Sequence, residues 1–229
     1  MHYLIMFIVS AIPVIAVYIW FRLAKYEFSL VWFLIALLMG AAAFFPALVL
    51  QYLLNFPVTP GRGAMFYHLF IRVAFTEEVS RLLMLFIFFG AINLVKKKNS
   101  PDQPLSWNTL VRGTATGFIV GLGFAILENI VYAASVPQTL LMRAVTAAPL
   151  HAACGARIGA AAVLFPTNPI QAIFRLITAT AIHGIYNFMV AMPGFPAVMA
   201  ILIALSALIT AILSIRSGEP QETGLTRFH

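Results

Sequence analysis

Charged side chains are scarce in this sequence: they make up 9% of the 229 residues, against about 25% in an average soluble domain. Hydrophobic residues reach 62%, and the mean hydropathy is +0.97. This composition excludes an ordinary soluble domain and predicts an integral membrane protein. Basic residues outnumber acidic ones, but they are scattered at the ends of apolar runs. We therefore expect no nucleic-acid partner, because a nucleic-acid binder concentrates its basic residues on a soluble face.

Cysteine is nearly absent as well. Cys154 stands alone, which excludes an intrachain disulfide, a paired-cysteine metal site and a dithiol redox centre. Long polar segments are also missing, since the connections between apolar runs are short and contain Pro, Gly and Asn. We therefore interpret residues 1–229 as a single transmembrane domain that ends in a short polar tail at 216–229.

Apolar runs long enough to cross a bilayer, by contrast, are abundant. A helix needs about 20 apolar residues to span the hydrocarbon core. The predicted fold is all-α, a polytopic transmembrane helix bundle of seven spans, or eight if the long third run divides. Basic residues favour alternate loops, so the positive-inside rule predicts an N-terminus outside and a C-terminus in the cytoplasm. The seven predicted spans are 3–23, 30–54, 64–94, 109–133, 139–165, 170–191 and 196–215.

Three acidic residues lie inside these apolar runs, Glu77 and Glu78 in the third span and Glu128 in the fourth. An acidic residue at the centre of a lone membrane helix costs about 2.5–3.5 kcal/mol. We therefore expect all three to face the bundle interior. Arg81 follows Glu77 by one turn, a spacing that suits an intrahelical ion pair. Glu78 then points about 100° away from Glu77.

Two histidines and an amide accompany the acids. His151 lies in the fifth span and His183 in the sixth, and Asn187 follows His183 by one turn on the same helical face. Phe124 and Glu128 share a stripe of the fourth span in the same way. At 1.5 Å per residue, these groups lie between the midplane and the outer surface. Four helices are thus expected to line one cavity that opens outward.

Carboxylates beside imidazoles suit hydrolysis. A carboxylate takes a proton from water as general base, and an imidazole positions that water or protonates the leaving amine. Two other functions use the same residues: a proton- or cation-coupled transporter, and a scaffold whose polar groups only join helices. The glycines of GFIVGLGFA and GARIGAA predict close helix packing and no chemistry.

Four motifs together resemble those of one family. EEVSR at 77–81, FAILEN at 124–129, PLHAACG around His151 and HGIYN at 183–187 resemble the PrsW family of intramembrane proteases over about 64–190. That family is distantly similar to the CAAX prenyl endopeptidases, whose prenyl-protein cleavage is an alternative activity. The resemblance implies site-1-type cleavage of a membrane-anchored protein, such as an anti-sigma factor, in the bacterial cytoplasmic membrane. The implied partners are this protein substrate and the lipid bilayer.

The resemblance also implies roles for individual residues. One of Glu77 and Glu78 is the base for water, and the choice between them is open. Arg81 stands where the family's EExxK motif has lysine, and its planar fork prefers a bidentate carboxylate. The candidate catalytic residues are Glu77, Glu78, Glu128, His151, His183 and Asn187, with Arg81, Phe124 and Asn129 in support.

No cofactor is expected to be required, because the similar CAAX enzymes imply a glutamate–histidine route without metal. Zinc is the possible ion, since carboxylates and imidazoles are competent zinc ligands. The expected zinc ligands would be Glu78, Glu128, His151 and His183.

Overall fold

The computed structural model describes residues 2–24, 26, 28–99, 109–192 and 197–217. Within these ranges every regular element is a helix, which confirms the predicted all-α fold. A π-helix, Tyr67–Phe75, joins α3 to α4, and a 3₁₀ turn, Pro137–Thr139, precedes α6. The α-helices are α1 (His2–Leu23), α2 (Leu30–Leu53), α3 (Arg62–Phe66), α4 (Thr76–Asn99), α5 (Thr109–Ser135), α6 (Leu140–Val145), α7 (Ala147–Leu164), α8 (Pro169–Ala191) and α9 (Ala197–Arg216).

Six helices in the described ranges are long and apolar enough to cross a membrane: α1, α2, α5, α7, α8 and α9. The protein is therefore an integral membrane protein. The predicted third span corresponds to the unbroken helical run from Arg62 to Asn99, which includes α3, the π-helix and α4. This run carries four charged residues in its middle, so it is less uniformly apolar than the other six: Arg72, Glu77, Glu78 and Arg81. The predicted tail beyond residue 217 and the loops at 100–108 and 193–196 lie outside the described residues.

Local sequence explains where several helices begin. The side chain of Ser29 accepts a hydrogen bond from the backbone N–H of Trp32 at the start of α2, at 3.1 Å. At α8 the side chain of Asn168 accepts from the backbone N–H of Gln171, also at 3.1 Å, and Pro169 occupies the first helical position. Both are preferred ways to satisfy the free N–H groups of a helix start.

The predicted fifth span, 139–165, is divided in the structure. α6 ends at Val145 and α7 begins at Ala147, with Thr146 between them at φ −122° and ψ −57°. Pro149 gives the reason: a proline cannot donate to the carbonyl four residues earlier, and its ring clashes with it. The carbonyl that Pro149 leaves without its helical donor belongs to Val145, the last residue of α6, whereas α1 and α2 continue through Pro13 and Pro46.

α5 and α7 pack closely where glycines meet. A Cβ added at Gly117 would lie 2.7 Å from the Cα of Gly159, and one added at Gly121 would strike the carbonyl of His151. Only hydrogen at these positions permits such an approach of two backbones. The predicted packing role of the two glycine-rich stretches is confirmed.

α7 lies at the centre of the bundle and is buried along almost its whole length. Its alanines and glycines let α5, α8 and α9 approach it from different sides. The surrounding helices turn their large apolar side chains outward; Leu38 of α2 is 69% exposed and Ile170 of α8 is 81% exposed. Such a surface suits lipid, because a bilayer solvates apolar side chains that water would not.

Candidate active site

A cluster of charged and imidazole side chains lies inside this apolar bundle. The third helical run supplies two glutamates and an arginine, and α5, α7 and α8 supply one residue each. None is more than 7% exposed. Burial of this kind demands partners, since an unpaired charge in an apolar interior is very costly. The members are Glu77, Glu78, Arg81, Glu128, His151 and His183.

Glu78 is the centre of the first group of contacts. Its Oε1 forms an ion pair with Nη2 of Arg81 and accepts a hydrogen bond from Nδ1 of His183 at 2.8 Å. Arg81 also donates from Nη1 to the carbonyl of His151 at 3.1 Å. Arg81 contacts Glu77 through the backbone carbonyl alone, at 3.3 Å. The predicted ion pair between Glu77 and Arg81 is therefore wrong, because the contacts from α7 and α8 draw the guanidinium and the imidazole to Glu78.

Glu128 is the centre of a second, similar group. Its Oε2 forms an ion pair with Nε2 of His151, and its Oε1 lies 2.9 Å from Nη2 of Arg143. Nε of Arg143 donates to Oδ1 of Asn129 at 3.0 Å, and its guanidinium lies 3.9 Å from the ring centre of Tyr132. Arg143 comes from α6, so the short helix before the Pro149 break brings a positive charge to Glu128.

The two histidines and Glu77 meet between these groups. The imidazole rings of His151 and His183 lie edge to face with centroids 4.9 Å apart. Oε2 of Glu77 is buried without a hydrogen-bond partner and lies 3.7 Å from Nε2 of His183. Oε1 of Glu77 accepts from Nε2 of Gln51 at 3.2 Å. Nδ1 of His151 is likewise buried and unpartnered, so several acceptor and ligand atoms remain available at this point.

This arrangement fits a metal ion. One ligand atom from each of Glu77, His151 and His183 lies within 4.8 Å of the others. Three protein ligands with a fourth position open for water is the usual composition of a catalytic zinc site. The carboxylates of Glu78 and Glu128 each hold the other nitrogen of one histidine, which is how metal-binding imidazoles are commonly oriented. The sequence predicted Glu78 and Glu128 as zinc ligands beside the two histidines. The structure instead brings Glu77 together with His151 and His183.

Comparison with known proteins agrees with this geometry. The model of the PrsW family of intramembrane metalloproteases matches residues 29–213, most of the chain. The chain belongs to the PrsW family. It is therefore a peptidase of the membrane, and its family is described as metal-dependent. Neither the curated proteins nor the solved structures contain a match.

The predicted supporting residues of this PrsW-family chain have distinct positions. Phe124 stacks between two members of the cluster, with its ring 5.4 Å from that of His151 and 4.9 Å from the guanidinium carbon of Arg81. Asn129 contacts the cluster through Arg143. Asn187 is half-buried one turn beyond His183, and its side chain makes no hydrogen bond to a described residue. Its catalytic role stays a prediction.

Two features of the site were not predicted from the sequence, and the first is a pair of polar side chains. Gln51 and Arg143 were not among the candidate residues, although each is a polar side chain within an apolar run. Gln51 stands near the end of α2, where a polar residue looks like a span boundary. Arg143 resembles a charge that extends to the membrane surface. Only the packing of α2 and α6 against the cluster shows that both side chains face inward.

The π-helix before α4 is the second missed feature. Such helices are rare and are frequent at functional sites. This one ends at Phe75, immediately before Thr76 and Glu77, and Thr76 caps it by donating to the carbonyls of Arg72 and Val73 at 2.7 and 2.9 Å. Phe70 packs on Gly184, where an added Cβ would lie 2.7 Å from Cγ of the ring. The π-helix therefore fits against α8 next to His183.

Proposed function

We propose that the protein is an endopeptidase that hydrolyses a membrane-anchored protein at the centre formed by Glu77, His151 and His183. The observation that carries this proposal is the position of Oε2 of Glu77, which is buried without a hydrogen-bond partner 3.7 Å from Nε2 of His183. Oε2 of Glu78 and of Glu128 also lacks a hydrogen bond, but those two carboxylates are ion-paired with arginines, and Glu77 is not. A buried carboxylate oxygen without a partner is costly unless the site uses it. A water molecule held here would have a carboxylate acceptor and two imidazoles around it.

The roles of the side chains follow from their contacts. Oε2 of Glu77 accepts a proton from the attacking water as general base. Glu78 and Glu128 cannot do the same freely, because arginines hold them. They fix the orientation of the two imidazoles. His183 donates from Nδ1 to Glu78, so its Nε2 faces the centre as an acceptor. Nε2 takes up the proton that Glu77 removes from the attacking water and then gives it to the leaving amine.

With zinc bound, Glu77, His151 and His183 would instead serve as its ligands, and the ion would take over the activation of water by supplying a bound water of lowered pKa and a polarised carbonyl. Their burial keeps competing water away from the reacting groups. Gln51 fixes the plane of the Glu77 carboxylate through Oε1 and leaves Oε2 to face the histidines.

The position of the centre supports cleavage near the outer surface. Glu128 lies seven residues before the end of α5, His151 four after the start of α7, and His183 eight before the end of α8. At 1.5 Å per residue this is about 6–12 Å from the ends of these three helices on one side of the bundle. The basic loops predict that this end faces outward. A bacterial cytoplasmic membrane and a substrate of the anti-sigma-factor type, cleaved on its extracytoplasmic side, fit this placement.

The test is cleavage of a quenched fluorescent, membrane-anchored peptide library by the purified protein in detergent or liposomes. We expect the wild type to cleave and Glu77→Gln to lose at least a hundredfold in rate, since general-base catalysis contributes about 10²–10⁴. His183→Ala should lose a similar factor.

His68→Ala is the matched control, because His68 lies in the same helical run but is exposed and outside the cluster. Unchanged cleavage by well-folded Glu77→Gln and His183→Ala variants would sink the proposal. Proton-coupled uptake by liposomes, abolished by Glu77→Gln, would favour a transporter instead.

A further inference from the structure

A cavity lies among α5, α7, α8 and α9, and it extends from the end of the bundle opposite the active-site cluster towards that cluster. Its volume is about 420 Å³, which falls within the range of small-molecule sites. Its two arginines, Arg157 and Arg175, lie six residues beyond His151 on α7 and eight residues before His183 on α8, or about 9 and 12 Å along the two helices, and its lining extends up to Ile182 beside His183. The polar residues that line it are Thr114, Arg157, Gln171, Arg175, Thr178 and Ser214.

Two arginines face this cavity without a carboxylate partner among the described residues. Arg157 donates from Nη1 to the carbonyl of Ala153 at 2.9 Å and from Nη2 to the hydroxyl of Thr210 at 2.7 Å, both of them neutral acceptors. Nε of Arg175 is buried and has no hydrogen-bond partner in the described part of the chain. Two like charges thus share one cavity in a low-dielectric setting, where their repulsion is screened poorly. A bound anion would offset both charges.

The acidic residues of the described chain cannot supply that anion. Glu77, Glu78 and Glu128 are the only ones in the described ranges, and all three lie in the active-site cluster. The anion must therefore come from elsewhere. Guanidinium forks match the oxygens of phosphate and carboxylate. The hydroxyls of Thr178 and Ser214 donate to the carbonyls of Arg175 and Thr210, so the guanidinium groups are the donors that an anion would meet.

We propose that this cavity binds the phosphate of an anionic phospholipid headgroup. Phe174 forms part of its wall and is 64% exposed. Ile170 and Ile177 lie one turn to either side on α8 and are 81% and 58% exposed. These three residues share one helical face, so an apolar stripe leads from the cavity along the outside of the bundle. A phosphate at the arginines would place an acyl chain on this stripe.

The depth of the arginines suits a headgroup. Arg175 lies six residues after the start of α8, and Arg157 lies seven residues before the end of α7. These positions are about 9–11 Å inside the helix ends, where a long arginine side chain reaches the boundary between headgroups and hydrocarbon. Basic pockets between membrane helices at the positively charged side of a protein are a known means of binding anionic headgroups.

The test is native mass spectrometry of the purified full-length protein with phosphatidylglycerol and with phosphatidylcholine of identical acyl chains. We expect phosphatidylglycerol to bind at least tenfold more tightly. Arg175→Gln should weaken its binding at least tenfold, whereas Arg22→Gln, the same change of charge at an exposed position near the end of α1, should not. Equal affinity for the two lipids, or equal losses in both variants, would overturn the proposal.

A second variant keeps the test decisive if Arg175→Gln folds poorly. Ser214→Glu adds a carboxylate at an exposed lining position, and it should reduce phosphatidylglycerol binding while leaving the arginines in place. Displacement of the lipid by excess inorganic phosphate would reassign the cavity to a free phosphate anion. A large gain in affinity on replacing Glu219→Gln and Glu222→Gln together would show that the protein's own tail fills the cavity, and it too would overturn the lipid proposal.

Discussion

His151 and His183 are each held by a carboxylate that is itself paired with an arginine. His183 contacts Glu78, and His151 contacts Glu128. Such chains of charge-assisted hydrogen bonds orient an imidazole and fix which nitrogen is left to face the reacting groups. Glu77 differs from both carboxylates, since its side-chain hydrogen bond is to the neutral amide of Gln51. The cluster thus separates carboxylates that orient from the one that remains available for chemistry.

Arg81 provides a direct test of this division of roles. It is fully buried and shares Glu78 with His183. Arg81→Gln leaves Glu78 as an uncompensated charge, so we expect a loss of about 3–5 kcal/mol in the free energy of unfolding, as for other broken buried pairs. Denaturant titration in detergent measures this loss. The exposed Arg22→Gln should change stability by no more than about 0.5 kcal/mol.

The double variant Arg81→Gln with Glu78→Gln separates stability from activity. Because it removes the unpaired charge, we expect it to regain much of the lost stability. It should not regain peptidase activity, since His183 then lacks the carboxylate that orients it. Recovery of both properties together would contradict an orienting role for Glu78.

Zinc binding, like stability and activity, should depend on individual side chains of the cluster. Because Glu77, His151 and His183 bring one ligand atom each to within 4.8 Å, we expect purified wild-type protein to bind zinc and to lose activity on chelation. Activity should return when zinc is added. His151→Ala should retain little zinc by elemental analysis, whereas Cys154→Ser should retain it, because the Cys154 thiol donates to the carbonyl of Ala179 and lies outside the grouped ligands. Full activity without bound metal would restore the expectation of a glutamate–histidine route.

The contact between α5 and α7 sets the geometry of the site at the scale of helices. Glu128 lies on α5 and His151 on α7, and their ion pair requires the two backbones to approach at the glycines. Gly121 even touches the carbonyl of His151, which also accepts from Arg81. Side chains at these glycines would move one carboxylate away from its imidazole.

Gly117→Ala tests whether the site depends on the contact between α5 and α7, at a position two turns from the site. An added Cβ would meet the backbone of α7 at Gly159, and overpacking of this kind costs about 1–3 kcal/mol. We expect lower thermal stability and reduced cleavage. Gly90→Ala is the matched control, because nothing lies within 4 Å of its added Cβ; there the better helix propensity of alanine should keep or raise stability by up to about 1 kcal/mol. Equal behaviour of the two variants would show that the α5–α7 contact is looser than its geometry indicates.

Sequence alone could predict which helices carry the candidate residues, because length and apolar composition define a span and the helical period defines a face. It could not choose Glu78 over Glu77 as the partner of Arg81, since both spacings permit a pair. His183 and His151 decide that choice from helices distant in sequence. Pro149 explains the break at Thr146 but does not predict it, because Pro13 and Pro46 lie inside unbroken helices, and the π-helix has no sequence signal either.

At the scale of the whole molecule, opposite charges occupy opposite ends of the bundle. The acids of the described chain gather at the end where α5 and α8 finish and α7 begins. Arg157 and Arg175 lie towards the other end, beside the cavity that we assign to a headgroup. This division agrees with a positive inner face and a reaction centre near the outer face.

The orientation can be measured by cysteine labelling, because the native Cys154 is fully buried and should react little. Four exposed positions outside or at the ends of the spanning helices report the two faces: Thr59→Cys, Ser135→Cys, Thr167→Cys and Ser217→Cys. If the run Arg62–Asn99 crosses the membrane, residues 59 and 135 share one face, and seven crossings put 167 and 217 on the other. We expect a membrane-impermeant maleimide added to intact cells to label the first two and to spare the last two until the cells are opened.

Labelling of 59 and 135 from opposite faces would mean that the charged run does not cross and that the bundle has six spans. Labelling of 167 and 217 in intact cells would invert the molecule, placing the reaction centre on the cytoplasmic side and excluding site-1-type cleavage.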